Sequence, residues 1–263
     1  MKMLYYKAWI ETRVRFIAGL IAATIICVYN IQQHAWLTAM WAGELANPHG
    51  FHMSWMPLGI HEYGWYLWHY LFDNYLQQVW SLFAVLFAFG GLIRERGSGT
   101  VLFSLGLPVS RRRWLFTRLA VALIESVALS LFAVIVVLIG SAVIHQTFSL
   151  PQMLLHTALM IAAGIFIIAF GNLCYTLFPG NYLSLLLTLV LLGVPYLLLQ
   201  TYMQHLRYLG KTNWLAYFDF AHAMAGPWQL TWSTTPWITL LIIWALTAIL
   251  LRVTLTYGDR FDY

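Results

Sequence analysis

Long apolar runs separated by short polar stretches dominate this chain. Leu, Ile, Ala and Phe crowd residues 14–31, 78–93, 114–141, 153–175, 182–203 and 237–253. An apolar helix needs about 20 residues to cross the hydrocarbon of a bilayer, and these runs are close to that length. Backbone N–H and C=O groups find no water there, so only a helix or a closed barrel can span. The runs lack the two-residue alternation of barrel strands. The pattern therefore predicts an all-α integral membrane protein: six transmembrane helices in a single transmembrane domain over residues 1–263.

The segments between the runs carry their own signals. Residues 1–13 place Leu4, Tyr5, Ala8, Trp9 and Thr12 on one helical face and keep Lys2, Lys7 and Arg13 off it. This predicts an amphipathic helix lying at the membrane surface. Residues 32–77 and 204–236 form two long connections dense in Trp, Tyr and Phe, residues that favour the membrane–water interface, and they predict short helices lying on or dipping into the outer leaflet. Pro179-Gly180-Asn181 marks a tight turn between the fourth and fifth runs.

Composition agrees with this class. Hydrophobic residues make up 61% of the chain and charged ones 9%, against roughly a quarter charged in a soluble domain. A net charge of +5 is too small and too dispersed for a nucleic-acid footprint. Lys and Arg accumulate on cytoplasmic loops. With the N-terminus inside, twelve of the fourteen basic residues are cytoplasmic and only Arg207 and Lys211 lie outside. That vote places both termini in the cytoplasm and the connections 32–77 and 204–236 outside. Cys27 and Cys174 sit in apolar runs and read as small buried hydrophobes. The first run is too long for a signal-peptide core and reads as an uncleaved span.

The polar segment 94–113 carries the most information. It reads RERGSGTVLFSLGLPVSRRR. Gly97 and Gly99 interrupt the helix leaving the second run, and Ser98 or Thr100 can cap a new one. Residues 100–107 supply about two turns at 3.6 residues each, with Val101, Leu102 and Leu105 as the apolar face. Pro108 ends that helix, Ser110 can cap the third span, and Arg111–Arg113 sit at headgroup level. The segment thus predicts a short helix along the inner surface, tethered at both ends to spans.

This order of elements resembles the permease subunits of ABC exporters of the second export class. The matching positions are Glu95, Gly99, Thr100, Leu107, Pro108, Ser110 and Arg111. The resemblance covers the whole chain in layout and about twenty residues in motif. It implies that residues 100–107 form a coupling helix docked on a separate ATP-binding-cassette subunit. It also implies that Glu95 fixes the link to the second span or the N-terminal helix. Residues 213–232 would form re-entrant helices closing the outer end of the pathway. A second permease copy, or a homologous permease, would complete a dimer with a cavity between copies lined by the second and fifth spans. The setting implied is a bacterial inner membrane, with membrane lipid around the subunit and no nucleic acid. ATP and Mg would sit on the partner subunit, with no cofactor on this chain. The nearest approach to a phosphate loop here, Gly210-Lys211-Thr212, has His205 where the first Gly must stand.

Two further features remain. Glu125 lies about 16 Å into the third span at 1.5 Å per residue. An ionisable group at such depth lines a pathway, pairs across a dimer, or makes a structural hydrogen bond. His49, His52 and Met53, with Met56 nearby, offer imidazole and thioether ligands of the kind copper takes. No acidic residue or Cys joins them, so metal handling is a rival reading. A complex that uses ATP-driven motion to act on an extracytoplasmic protein is another.

Overall fold

The computed structural model describes residues 2–45, 62–90, 110–178, 183–208, 217 and 219–258. Every long regular element among them is helical: α1 (Lys2–Leu45), α2 (Tyr63–Tyr66), a π-helical stretch (Leu67–Tyr75), α3 (Leu76–Phe89), α4 (Arg111–Val143), α5 (Leu150–Leu177), α6 (Leu183–Tyr208), α7 (Phe220–Ala225) and α8 (Trp237–Gly258). Four are long and apolar enough to cross a membrane, through residues Lys2–Met40, Arg112–Val143, Leu150–Leu177 and Trp237–Tyr257. The chain is thus an all-helical protein compatible with a membrane location. The other two apolar runs fall on α3, with 14 residues, and on α6, whose apolar part is Leu183–Leu199.

The termini of these helices follow local chemistry. Ser110 caps α4, its hydroxyl accepting from the Arg113 N–H at 3.4 Å, as the sequence predicts. Pro151 sits in the first turn of α5, where its missing N–H costs no helix bond. Gly90 ends α3 with φ +48°, a left-handed turn that only glycine adopts at no steric cost.

Two boundaries differ from those the sequence predicts. Residues 1–13 are not a separate surface helix. Residues 2–13 are the first turns of α1, which runs unbroken for 44 residues, or about 66 Å at 1.5 Å per residue. No Gly or Pro stands between Met1 and Ala18 to interrupt it. The described parts of residues 32–77 extend the neighbouring helices: α1 continues to Leu45, and helix resumes from Tyr63 straight into α3. There Leu67, Leu71, Phe72 and Leu76 share a buried face, which the many aromatic neighbours hide from a reading of hydropathy.

α5 lies centrally, packed against α3, α4, α6, α7 and α8, while α1 packs along α4 and α3. Trp80 anchors the centre of the bundle. It is fully buried, and its indole N–H donates to the Ser126 carbonyl on α4 at 3.1 Å. The close approach requires Gly164 on α5, where a Cβ would fall 2.0 Å from the Trp80 ring.

Candidate functional site

Most of the sequence-predicted residues fall outside the described ones: Glu95, Gly99, Thr100, Val101, Leu102, Leu105 and Pro108 in the coupling segment, and His49, His52 and Met53 in the first connection. Ser110 and Arg111 open α4. Glu125 is described and leads to a polar cluster that joins α1, α3 and α4.

The cluster is built on helical register. On α1, Ala8, Thr12 and Arg15 follow one another at i, i+4 and i+7, and Glu11 lies beside them. On α4, Trp114, Arg118 and Glu125 recur at i, i+4 and i+11 and so share one face. Packing α1 on α4 brings the two faces together. Arg118 Nη2 lies 2.8 Å from Glu11 Oε2, and its guanidinium sits 4.2 Å from the centre of the Trp114 ring. Lys7 approaches the other Glu11 oxygen at 3.8 Å.

Two turns along α4, Glu125 is 1% exposed. Its Oε1 accepts from the Thr12 hydroxyl. Its Oε2 is buried with no hydrogen-bond partner among the described residues. The Thr12 hydroxyl also lies 3.1 Å from the Ala8 carbonyl and 3.2 Å from that of Trp9, so its single proton is shared among three acceptors.

Arg15 completes the site. Its Nη1 donates to the Leu86 carbonyl at 2.8 Å and to the Gly90 carbonyl. These are among the last carbonyls of α3, which no intrahelical N–H can satisfy. A guanidinium there also meets the negative end of the helix dipole. Arg15 thus caps α3 where the chain turns away into residues 91–109, and Arg118 holds α4 soon after the chain returns. Both flanks of that segment are fastened to α1.

In an apolar bundle such charges are tolerated only when paired and hydrogen-bonded. The cluster's geometry suits mechanical fastening. Sequence reading singled out Glu125 but missed Glu11, Arg15 and Arg118. The signal was present: Arg15 and Arg118 lie inside runs assigned to spans, where any ionisable group merits the attention given to Glu125.

A second feature is a cavity of about 580 Å³ walled by α3, α5, α6 and α7. A third lies at the opposite end of the bundle from Arg15. His156 on α5 faces the carbonyls of Ala225 at 2.7 Å and Trp228 at 3.3 Å. Gln152 grips the Leu230 backbone both ways, donating to its carbonyl at 3.1 Å and accepting from its N–H at 3.0 Å. Trp68 donates to the Gly226 carbonyl at 3.1 Å. α7 and the turn after it are therefore bound down onto α5. Of the stretch expected to re-enter the membrane, this is the described part.

Among the described residues no group of three or more His, Cys, Asp or Glu is placed to hold a metal ion. Comparison of the chain with family models, characterised proteins and solved structures gave no match.

Proposed function

We propose that this chain is the membrane subunit of an ATP-driven exporter, similar to permeases of the second ABC export class. In this reading all six apolar runs span the bilayer, α3 and α6 included. The termini and residues 91–109 face the cytoplasm of a bacterial inner membrane. A separate ATPase subunit, carrying ATP and Mg, docks on residues 100–107. A second permease completes the transporter.

One observation carries the reading: Arg15 and Arg118 fasten both flanks of the 91–109 segment to α1. A push on a free loop would dissipate in the loop. A push on a segment whose two ends are tied to one long helix moves α1, α3 and α4 together. The element order and the placement of Lys and Arg add support.

The test is affinity capture of the tagged chain from native membranes, followed by protein identification. A nucleotide-binding subunit should co-purify and be lost when residues 100–107 become a Gly/Ser linker. A stable complex without any such subunit would sink the exporter reading.

A further inference from the structure

α1 packs along α4 and α3, with Ala8, Thr12, Ala23 and Cys27 turned inward. Its opposite side is exposed. Ile10, Val14, Ile17, Ile21, Ile25 and Val28 form a continuous apolar stripe there, recurring at the three- and four-residue steps of one helix face. An exposed aromatic residue stands at each end, Trp9 and Tyr29. Tyr29 follows Trp9 by 20 residues, which is about 30 Å of helix. The hydrocarbon of a bilayer is also about 30 Å thick. Trp and Tyr settle at its two edges, so the stripe between them faces acyl chains.

Arg13 breaks this pattern. It is exposed, lies one turn to the membrane side of Trp9, and makes no ion pair or hydrogen bond with any described residue. The nearby carboxylate of Glu11 is held by Arg118 and Lys7. An unpaired cation beside lipid is costly. Side chains on a helix lean toward its N-terminus, so the Arg13 guanidinium reaches back to the depth of Trp9. Lys2, Tyr6, Trp9 and Arg13 recur at i, i+4, i+7 and i+11, and all four are exposed. They present two cations and a tyrosine hydroxyl along one edge. In a bilayer the group at that depth is the lipid phosphate, and a guanidinium matches it with a planar fork of N–H donors. A zwitterionic headgroup brings its own cation beside the phosphate. An anionic headgroup does not, so two exposed basic residues favour it.

We propose that Arg13 binds the phosphate of an anionic phospholipid, in the leaflet at the N-terminal end of α1, with one acyl chain lying along Ile17 and Ile21. None of these residues is on α3 or α6, where the exporter reading places the cavity between two permease copies. The site requires α1 to stand in a membrane and does not depend on the exporter reading.

The test compares two photoactivated lipids with the same diazirine acyl chain, one a phosphatidylglycerol and the other a phosphatidylcholine. The full-length chain is labelled in nanodiscs, and labelled residues are mapped by mass spectrometry. Phosphatidylglycerol should label residues 9–17 several-fold more than phosphatidylcholine. The two should label Ile135, Leu138 and Ile139 equally, since these exposed residues lie near the other end of α4. Arg13→Gln should lower the preference at residues 9–17 roughly fivefold, the share of one basic residue at a membrane surface. Arg13→Lys should retain part of it. Added sodium chloride should weaken the preference of the wild-type chain by screening, a measurement that no variant's folding affects. Equal labelling of residues 9–17 by the two lipids overturns the proposal, as does a preference that survives Arg13→Gln. So does inorganic phosphate that abolishes the preference where chloride of equal ionic strength does not, which would mark a site for soluble phosphate.

Discussion

Arg118 reaches from α4 to Glu11 on α1 at 2.8 Å, and both side chains are largely withdrawn from solvent, at 6% and 16% exposed. Removing one member of such a pair strands the other's charge, at a cost of about 3–5 kcal/mol. Replacing both with apolar groups of similar size removes the desolvation penalty as well, and is often neutral. Arg118→Met and Glu11→Leu should each lower the unfolding temperature of the purified chain clearly. The double variant should recover most of the loss. Thermal unfolding in detergent decides it: simply additive losses would mean that the two residues are not coupled.

Gly164 and Gly193 make a matched pair of helical glycines with opposite surroundings. At Gly164 a methyl group would fall 2.0 Å from the Trp80 ring, and at Gly193 it would meet open space. Forcing a methyl into a packed core typically costs about 1–3 kcal/mol. Replacing glycine by alanine inside a helix gains about 0.5–1 kcal/mol where nothing clashes. Gly164→Ala should therefore destabilise the chain and Gly193→Ala stabilise it slightly. Denaturation of the two variants side by side checks the sign, and equal effects would contradict the packing described around Trp80.

Much of this architecture was legible in the sequence because an apolar run long enough to span has few alternatives to a helix. Each of the six runs falls on or overlaps a helix, and Ser110 caps α4 as its position suggests. The length of α1 was not legible. Hydropathy drops at Arg13 and Arg15, but a drop in hydropathy does not end a helix when no Gly or Pro breaks it. The helical stretch before α3 was expected only as short helices within the connection, and its continuity with α3 was missed because Trp, Tyr and His suit an interfacial segment and a packed helix equally well. The polar cluster was missed for a different reason. Counting Arg15 and Arg118 as positive-inside residues accounts for their side of the membrane and says nothing of their partners. Those partners, the Leu86 and Gly90 carbonyls and Glu11, are set by how the helices meet.

The clasp on the turn after α7 should behave as a local unit. Gln152 satisfies both backbone groups of Leu230, and His156 faces two carbonyls with at most one N–H to give when neutral. A typical hydrogen bond contributes about 0.5–1.5 kcal/mol. Gln152→Ala removes two, so amide exchange at Leu230 should accelerate roughly tenfold or more, since about 1.4 kcal/mol is a factor of ten. His156→Ala should loosen residues 225–228 in the same way, while α1 and α4 stay protected. Hydrogen–deuterium exchange read by mass spectrometry resolves the two regions. Uniform acceleration over the whole chain would mean that these residues support global stability and form no local clasp.

Arg15 permits the sharpest test of how α3 is held. Its guanidinium supplies the bonds that the Leu86 and Gly90 carbonyls lack within their own helix. Hydrogen bonds to a charged group contribute about 1.5–3 kcal/mol. Arg15→Ala should therefore free the last turn of α3, raising exchange at residues 87–90 by roughly ten- to a hundredfold. α5 and α8, which Arg15 does not touch, should keep their protection. Arg15→Lys should fall between the two, because an ammonium keeps the charge at the helix end but cannot present the planar fork that reaches two carbonyls. That order separates the possible causes. If Lys restores full protection, the helix dipole alone holds α3. If Lys behaves as Ala, the two directed bonds do. An unchanged last turn in Arg15→Ala would remove Arg15 from the fastening of α3 and, with it, the main support for a segment at 91–109 that moves α1.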